Sequence, residues 1–482
     1  MANSDEVEVF VISDLHLGGA YGEGGTRGFR INSHASELVA FLQEIRERAP
    51  AERASRELVI NGDFVDFLAE ADDDGSWHAF IEDEPSAVAT FDRIADRDAG
   101  VFDELALLLQ SGVAVTLTLG NHDLELSLPA VRARLRDRLG VTRTSPFHFV
   151  YDGEAYVIGD ALIEHGNRYD GWNVVDFDAL RRCRSEYSRR LDPSPDAAFT
   201  PPAGSRLVEE LMNPLKADYP FIDLLKPENE AAIPLLLAME PSFAADVGRL
   251  EMVHQLQKRA DRGSPRAPAR PNRPENIHRT TGDTPAGSLA DILARRLPPD
   301  AAARLLELTA EAERLTRRGA ENIGRGRTGR ALSLIKMLFT GGWEGRLPWL
   351  LDAFRQLTDV FDPSTESATE CLEAAGALTA DGRFAAVLFG HTHHVRNITL
   401  PGGATYLNTG SWTDSMRVPD AIISGPVDQA TALLKTFFVA VRERKLDDYL
   451  RFDPAFAHLR LRNGRVTSAA VHPYTRGVVH TL

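Results

Sequence analysis

The sequence predicts a layered α/β domain interrupted by a large, mainly helical insertion. Three observations carry that expectation. Short β-branched runs alternate with helical stretches in the first part of the chain, each early strand ends in a polar cluster, and long helical runs replace the alternation before it resumes near the end. Open α/β sheets place ligands at the carboxyl ends of their strands, so the polar clusters are expected to converge on one edge.

Val7 to Ser13 reads as a buried strand, Ala35 to Arg48 as a helix, and Glu57 to Asn61 and Val113 to Leu119 as further strands. Phe147 to Tyr151, Ala155 to Ile158 and Ala161 to Glu164 are expected as short strands, with Asp152-Gly153 turning between the first two. Residues 1–170 thus form the first part of a core. From Gly171 to Arg383 the pattern becomes helical, as in Val174 to Arg190, Ala301 to Arg318, Ala331 to Phe339 and Leu347 to Phe361, so 171–383 is expected to be an insertion or lid. Within it, Arg262 to Gly287 is rich in Pro, Arg, Asn, Ser and Thr, buries too little to offset its ordering entropy, and is expected to be a flexible loop. Leu332 to Leu351, with Met337, Phe339, Trp343 and Trp349, is apolar enough to pack two lid helices together, to wall a pocket for an acyl chain or to form an interfacial segment. Residues 384–482 complete the core: strands at Ala385 to Phe389 and Thr405 to Leu407, a helix from Asp428 to Arg444, and a hairpin from Ala457 to Ala470 turning at Asn463-Gly464.

Composition narrows the function. The 482 residues, 43% hydrophobic, suffice for more than one core. A net charge of -16 disfavours broad neutralisation of nucleic-acid phosphates. Cys183 and Cys371 are too few for a disulfide framework or a thiolate metal site, leaving His, Asn and carboxylates as the metal donors. Met1 to Val7 is acidic and polar, with no secretory pattern, and no stretch reaches the ~18 apolar residues of a membrane span, so a soluble cytoplasmic protein with at most peripheral membrane contact is expected.

Five clusters carry the chemistry. Asp14-Leu15-His16 follows the first strand, where residues i and i+2 point the same way and can meet one ion. Gly62-Asp63-Phe64-Val65-Asp66 sets a carboxylate, able to bridge two cations, after a glycine that permits a sharp turn. Gly120-Asn121-His122-Asp123 pairs an amide oxygen donor with a titratable imidazole, Asp123 reading as a helix N-terminal cap. Glu164-His165-Gly166 and Gly390-His391-Thr392-His393 complete the set. His34, His78, His148 and His394 fit no such pattern and are expected on the surface or behind the site, and Asp5, Asp72, Asp73 and Asp74 form acidic surface runs.

In this order the clusters resemble the signature of calcineurin-like metallophosphoesterases, D-x-H, G-D-x-x-D, G-N-H-[DE], H and G-H-x-H, over about residues 7 to 170 and 385 to 415. Asn408-Thr409-Gly410-Ser411 is similar to the stretch that closes the site in that family. The resemblance implies a layered β-sandwich flanked by helices and a binuclear site: Asp14, His16 and His393 on the first metal, Asp63 bridging, and Asn121, His165 and His391 on the second. It implies two divalent ions, Mn²⁺ first with Fe or Zn as alternatives, mixed N and O donors suiting these better than Ca²⁺. It also implies a metal-bridging hydroxide attacking a phosphodiester or pyrophosphate, with His122 as general acid and Asp66 orienting it.

The fold spans several substrate classes. Phe67 stands where protein serine/threonine phosphatases carry arginine. Ser13 to Gly18 and His165-Gly166-Asn167 look like the UDP-2,3-diacylglucosamine pyrophosphatases, which carry a helical lid between the last two histidine motifs. The insertion here is far longer, His122 stands where those enzymes have arginine, and Asn167 replaces their aspartate, so a relative acting on a phosphorylated small molecule or lipid-linked nucleotide is implied. Arg168 and Asp170 are candidate contacts for substrate phosphate, or else surface ion pairs. The alternatives are a phosphomonoesterase or protein phosphatase, a DNA nuclease, and a non-catalytic metal-binding regulatory protein.

Overall fold

The computed structural model describes residues 6–20, 30–48, 54–226, 228–239, 342–357 and 361–477. In chain order these include β1 (Glu6–Ile12), α1 (Ala35–Glu47), β2 (Ser55–Asn61), α2 (Glu84–Arg97), α3 (Ala99–Gln110), β3 (Ala114–Thr118), α4 (Pro129–Arg138) and β4 (Phe147–Val150). β5 (Tyr156–Ile158), β6 (Ala161–Ile163), α5 (Phe177–Tyr187), α6 (Ala203–Leu207), α7 (Asn213–Asp218), β7 (Leu225–Lys226) and α8 (Glu228–Met239) follow. The remainder comprises α9 (Leu347–Phe354), α10 (Thr369–Thr379), β8 (Ala386–Phe389), β9 (Val395–Thr399), β10 (Thr405–Thr409), β11 (Ser415–Arg417), α11 (Asp420–Ser424), α12 (Val427–Arg442), β12 (Leu450–Arg451), β13 (Ala455–Arg462) and β14 (Arg465–Pro473).

Compactness divides the chain into two units, Met1–Asn229 with Thr358–Val418 and Arg444–Leu482, and Glu230–Leu357 with Pro419–Glu443. The first unit therefore includes 171–229 and 358–383, which the sequence pattern groups with the insertion.

Two sheets build the first unit. One runs β14-β13-β1-β2-β3-β4, the other β5-β6-β8-β10-β9, and a small third sheet runs β12-β11-β7. Because strand side chains alternate faces, Val9, Val11 and Val59 of the first sheet meet Ala161, Ile163, Ala386, Leu388 and Leu407 of the second in a buried apolar sandwich interior. The intervening Phe10, Ile12, Leu58 and Ile60 point the other way and pack under α1, α2 and α3 through Leu38, Phe41, Phe91, Ile94 and Phe102. On the far face of the second sheet, Val387, Phe389 and Tyr406 pack with Cys371 and Ala375 of α10. The result is the helix-flanked β-sandwich that the family resemblance implies, built on the layered α/β pattern that the sequence predicts.

The local chemistry explains the elements. α2 starts where the Asp83 side chain accepts from Ser86 N, has proline in its first turn, and buries Ala87, Thr90, Phe91 and Ile94 along one stripe. Asn463 and Gly464 have φ of 52° and 72°, the left-handed pair that a tight hairpin needs, and join β13 to β14. One expectation fails: Asp152-Gly153 does not close a hairpin, because β4 pairs in parallel with β3 whereas β5 pairs with β6 in the other sheet. The turn instead carries the chain between sheets.

In the second unit Trp343 stacks on Phe438 with centroids 5.1 Å apart, and Phe354 meets Phe437 edge-on at 6.2 Å. The helix expected over Leu347 to Phe361 ends at Phe354. The expected helices Ala301 to Arg318 and Ala331 to Phe339, the loop Arg262 to Gly287, and Met337 and Phe339 lie outside the described residues.

Candidate metal centre

β1, β2 and β3 are parallel neighbours, so their carboxyl ends deliver Asp14-Leu15-His16, Asp63 to Asp66 and Asn121-His122 side by side. Main-chain bonds lock the first two loops together: Leu15 N and His16 N donate to Asp63 O at 2.9 Å each, and Asp66 N donates to Leu17 O at 2.8 Å. β6 and β8 bring His165 and His391 from the second sheet. The His391 N–H donates to Asp14 Oδ1 and Oδ2 at 3.0 and 3.1 Å, joining the sheets at the site.

Six of the seven expected ligands fall into close groups here. Donor atoms of Asp14, His16, Asp63 and His393 lie within 4.8 Å of one another, and so do those of Asp63, His165 and His391. The two groups share Asp63. Asn121 borders the second, and its Oδ1 is buried with no hydrogen-bond partner. His165 Nδ1 donates to Asn61 O at 2.9 Å, which leaves Nε2 as the lone-pair atom, 3.1 Å from Asp63 Oδ2 but without a hydrogen bond of good geometry. His16 Nε2 and His393 Nε2 face each other at 3.0 Å, beside Asp14. Orphaned acceptors and facing imidazoles among buried carboxylates are what a divalent cation satisfies, so the donor set fits the metals expected from the sequence.

The backbone is bent to make this approach. Asp14, His16, Asp63, His391 and His393 have φ of 54°, 44°, 48°, 66° and 58°. A side chain in that left-handed region costs on the order of 1 to 2 kcal/mol. Gly120 has a different constraint, because a Cβ there would run into the Asp63 carboxylate.

Asp66 divides its oxygens. Oδ1 lies 3.1 Å from His122 Nδ1, as the resemblance implies, and Oδ2 lies 3.1 Å from His16 Nδ1, a partnership that the sequence motif does not disclose. It also accepts from Ala69 N as an N-cap. Burial opposes the charge on His122, but the Asp66 and Asp63 carboxylates outweigh it and raise its pKa to about 9. For His393 burial prevails over Asp14 and lowers the pKa to about 4. Burial also works against Asp63, yet the surrounding histidines hold its pKa well below the usual carboxylate range.

Asp123 is not a helix cap. It makes no cap bond to the following 3-10 turn; its carboxylate instead accepts from Phe64 N at 2.8 Å and Gly120 N at 2.7 Å, tying the second and third loops together. Arg168 pairs with Glu164 at 3.1 Å, while Asp170 contacts His391 at 3.0 Å. His34 bonds Asp414 and His78 bonds Asp72, each at 2.8 Å; His148 is exposed, and His394 is half-buried next to His393 in the chain. Sequence reasoning missed Asn173, which accepts from Asn121 Nδ2 at 3.3 Å; Ser411, in the stretch expected to close the site, donates to Asp14 O at 2.9 Å, and the Ser13 hydroxyl bonds Asp14 and Thr409.

Residues 7–206 match the model of the calcineurin-like phosphoesterase family. Over that segment the chain is similar to the calcineurin-like phosphoesterases, hydrolases of phosphate esters, and its sandwich is a fold of the same kind. The matched segment contains Asp14, His16, Asp63, Asp66, Asn121, His122 and His165, and the sandwich brings His391 and His393 to them from beyond it. No curated protein matches the chain.

Proposed function

We propose that this protein is a binuclear metal-dependent phosphodiesterase or pyrophosphatase. The observation that carries the proposal is a pair of donor clusters sharing Asp63, with His122 at their edge: His122 joins His16 and Asp66 in a third group of close donors. Asp14, His16, Asp63 and His393 would hold one ion, and Asp63, Asn121, His165 and His391 the other. Divalent cations there, Mn²⁺ by preference, would supply charge neutralisation for the phosphoryl oxygens and a more acidic water for in-line attack.

The chain's own residues do the rest. Asp66 holds His122 by Nδ1, so Nε2 is the atom left to give a proton to the departing oxygen. The His16 ring meets the His122 ring edge-on at 4.8 Å and limits its rotation. Asp123 and the Asp14–His391 contacts fix the loops against one another and so hold the ligands in their mutual positions. A cytoplasmic enzyme acting on a phosphorylated small molecule or lipid-linked nucleotide is the reading that the motif style supports. No helix among the described residues is long and apolar enough to cross a membrane.

The purified protein with Mn²⁺ should hydrolyse bis-p-nitrophenyl phosphate and lose that activity on chelation. His122→Ala should lower turnover by ~10² to 10⁴ while both ions stay bound. Unchanged turnover in that variant removes the acid role, and occupied metals without hydrolysis across nucleotides, nucleotide-sugars, cyclic nucleotides and phosphoproteins would favour a regulatory metal protein.

A further inference from the structure

A chain of hydrogen bonds runs from His391 through two loop side chains to Asn121. Asp170 Oδ2 lies 3.0 Å from His391 Nε2 and accepts from Asn173 Nδ2 at 2.7 Å. Asn173 Oδ1 in turn accepts from Asn121 Nδ2 at 3.3 Å. Asp170 Oδ1 accepts from Trp172 N at 2.9 Å, so both carboxylate oxygens are committed within the protein.

We infer that Asp170 is a positioning residue for the second metal subsite: its carboxylate dictates which atoms His391 and Asn121 turn toward the ion. The inference rests on the binuclear reading above. A carboxylate offers only acceptors, so each neighbour must donate to it. His391 then carries its hydrogen on Nε2 and keeps its Nδ1 lone pair for a metal. Asn173 must turn its NH₂ to Asp170 and its oxygen to Asn121. Asn121 must answer with its own NH₂, which leaves Oδ1 as its remaining polar atom, the buried acceptor without a partner. An amide has nearly the same shape either way round, so packing alone would not choose. The charge at residue 170 chooses for two amides in series.

The loop is braced for this task. Asn167 Nδ2 donates to Asn173 O at 2.8 Å, and Gly204 N donates to Trp172 O at 2.8 Å. Gly204 sits so close that a Cβ there would collide with Asn173 Oδ1.

The test is Mn²⁺ titration of the full-length protein, read by the loss of the free-ion EPR signal and the appearance of the coupled two-ion spectrum. Wild type should take up two ions. Asp170→Asn can donate as well as accept, so it unlocks both amides; it should weaken the second ion ~10- to 100-fold and leave the first unchanged. Gly204→Ala, which removes no polar group, should weaken the same ion by displacing Asn173. Asn121→Asp presents an oxygen whichever way it turns, and it prefers a flipped Asn173, which Asp170→Asn permits. Asp170→Asn should therefore cost less in the Asn121→Asp background than in wild type. Equal cost in both backgrounds, equal weakening of both ions, or two unweakened ions in Asp170→Asn would overturn the relay. Fewer than two ions in wild type would instead refute the binuclear reading.

Discussion

Asp66 serves two histidines at once, and Asp66→Asn separates the two services. Asparagine keeps the size and the capping oxygen for Ala69 N, so folding should be little affected. It cannot accept from both His16 Nδ1 and His122 Nδ1, because one of its terminal atoms is now a donor. Losing the hold on His16 should weaken the first metal ion ~10- to 100-fold, equivalent to ~1.4 to 2.7 kcal/mol. The oxygen kept for Ala69 N also faces His122 Nδ1, so His122 loses not that contact but the carboxylate charge that supports its protonated form, which should remove up to ~10² to 10⁴ in turnover, ~2.7 to 5.4 kcal/mol on the barrier. A double-mutant cycle divides them. At saturating Mn²⁺, Asp66→Asn should cost almost nothing further in a His122→Ala background, whereas the metal-affinity loss should persist undiminished. Steady-state turnover and a Mn²⁺ titration on the four proteins provide both numbers. If the two turnover losses multiply in the double variant, Asp66 does not act through His122 and the reasoning is wrong.

Two further predictions concern the packing beneath the site. Burial raises the Glu125 pKa from 4.5 to about 8, against the opposing hydrogen bond from Ile81 N. A carboxyl that keeps its proton only in the fold makes stability fall as pH rises between those values, so Glu125→Gln should raise stability at pH 8 by roughly 2 to 4 kcal/mol more than at pH 5; urea unfolding that gives equal effects at both would refute a neutral Glu125. Asp123→Ala strands the Phe64 and Gly120 amides and should cost ~2 to 5 kcal/mol in chelated protein, a loss visible in the urea midpoint, with a shift below ~0.5 kcal/mol counting against the bridging role.

The sequence made the strand ends legible because their chemistry is concentrated in short motifs. Asp14, His16, Asp63, Asn121, His165, His391 and His393 all read as residues awaiting one of two ions, and the donor atoms of all but Asn121 fall into close groups that share Asp63. Partnerships that depend on which sheet a strand joins were not visible. The β4-to-β5 turn looks like a hairpin because residue type sets the turn but not the partner strand. Asp123 resembles a cap because Asp before a helical turn often is one; only the three-dimensional approach of Phe64 N reveals the bridge. Asp170 and Asn173 carry no motif at all, and their role follows from hydrogen-bond directions that spacing along the chain does not encode.

Five of the site's side chains sit on backbone where an optimiser of stability alone would write glycine. Any drift toward a more stable sequence would therefore erase Asp14, His16, Asp63, His391 and His393 first, since glycine there would relieve strain at no steric expense. That these positions hold carboxylates and imidazoles means folding was not the quantity being maximised at the strand tips. Stabilising the scaffold by consensus or computation should accordingly leave these five alone, and a thermostable variant that has lost them will be a good fold with nothing to bind.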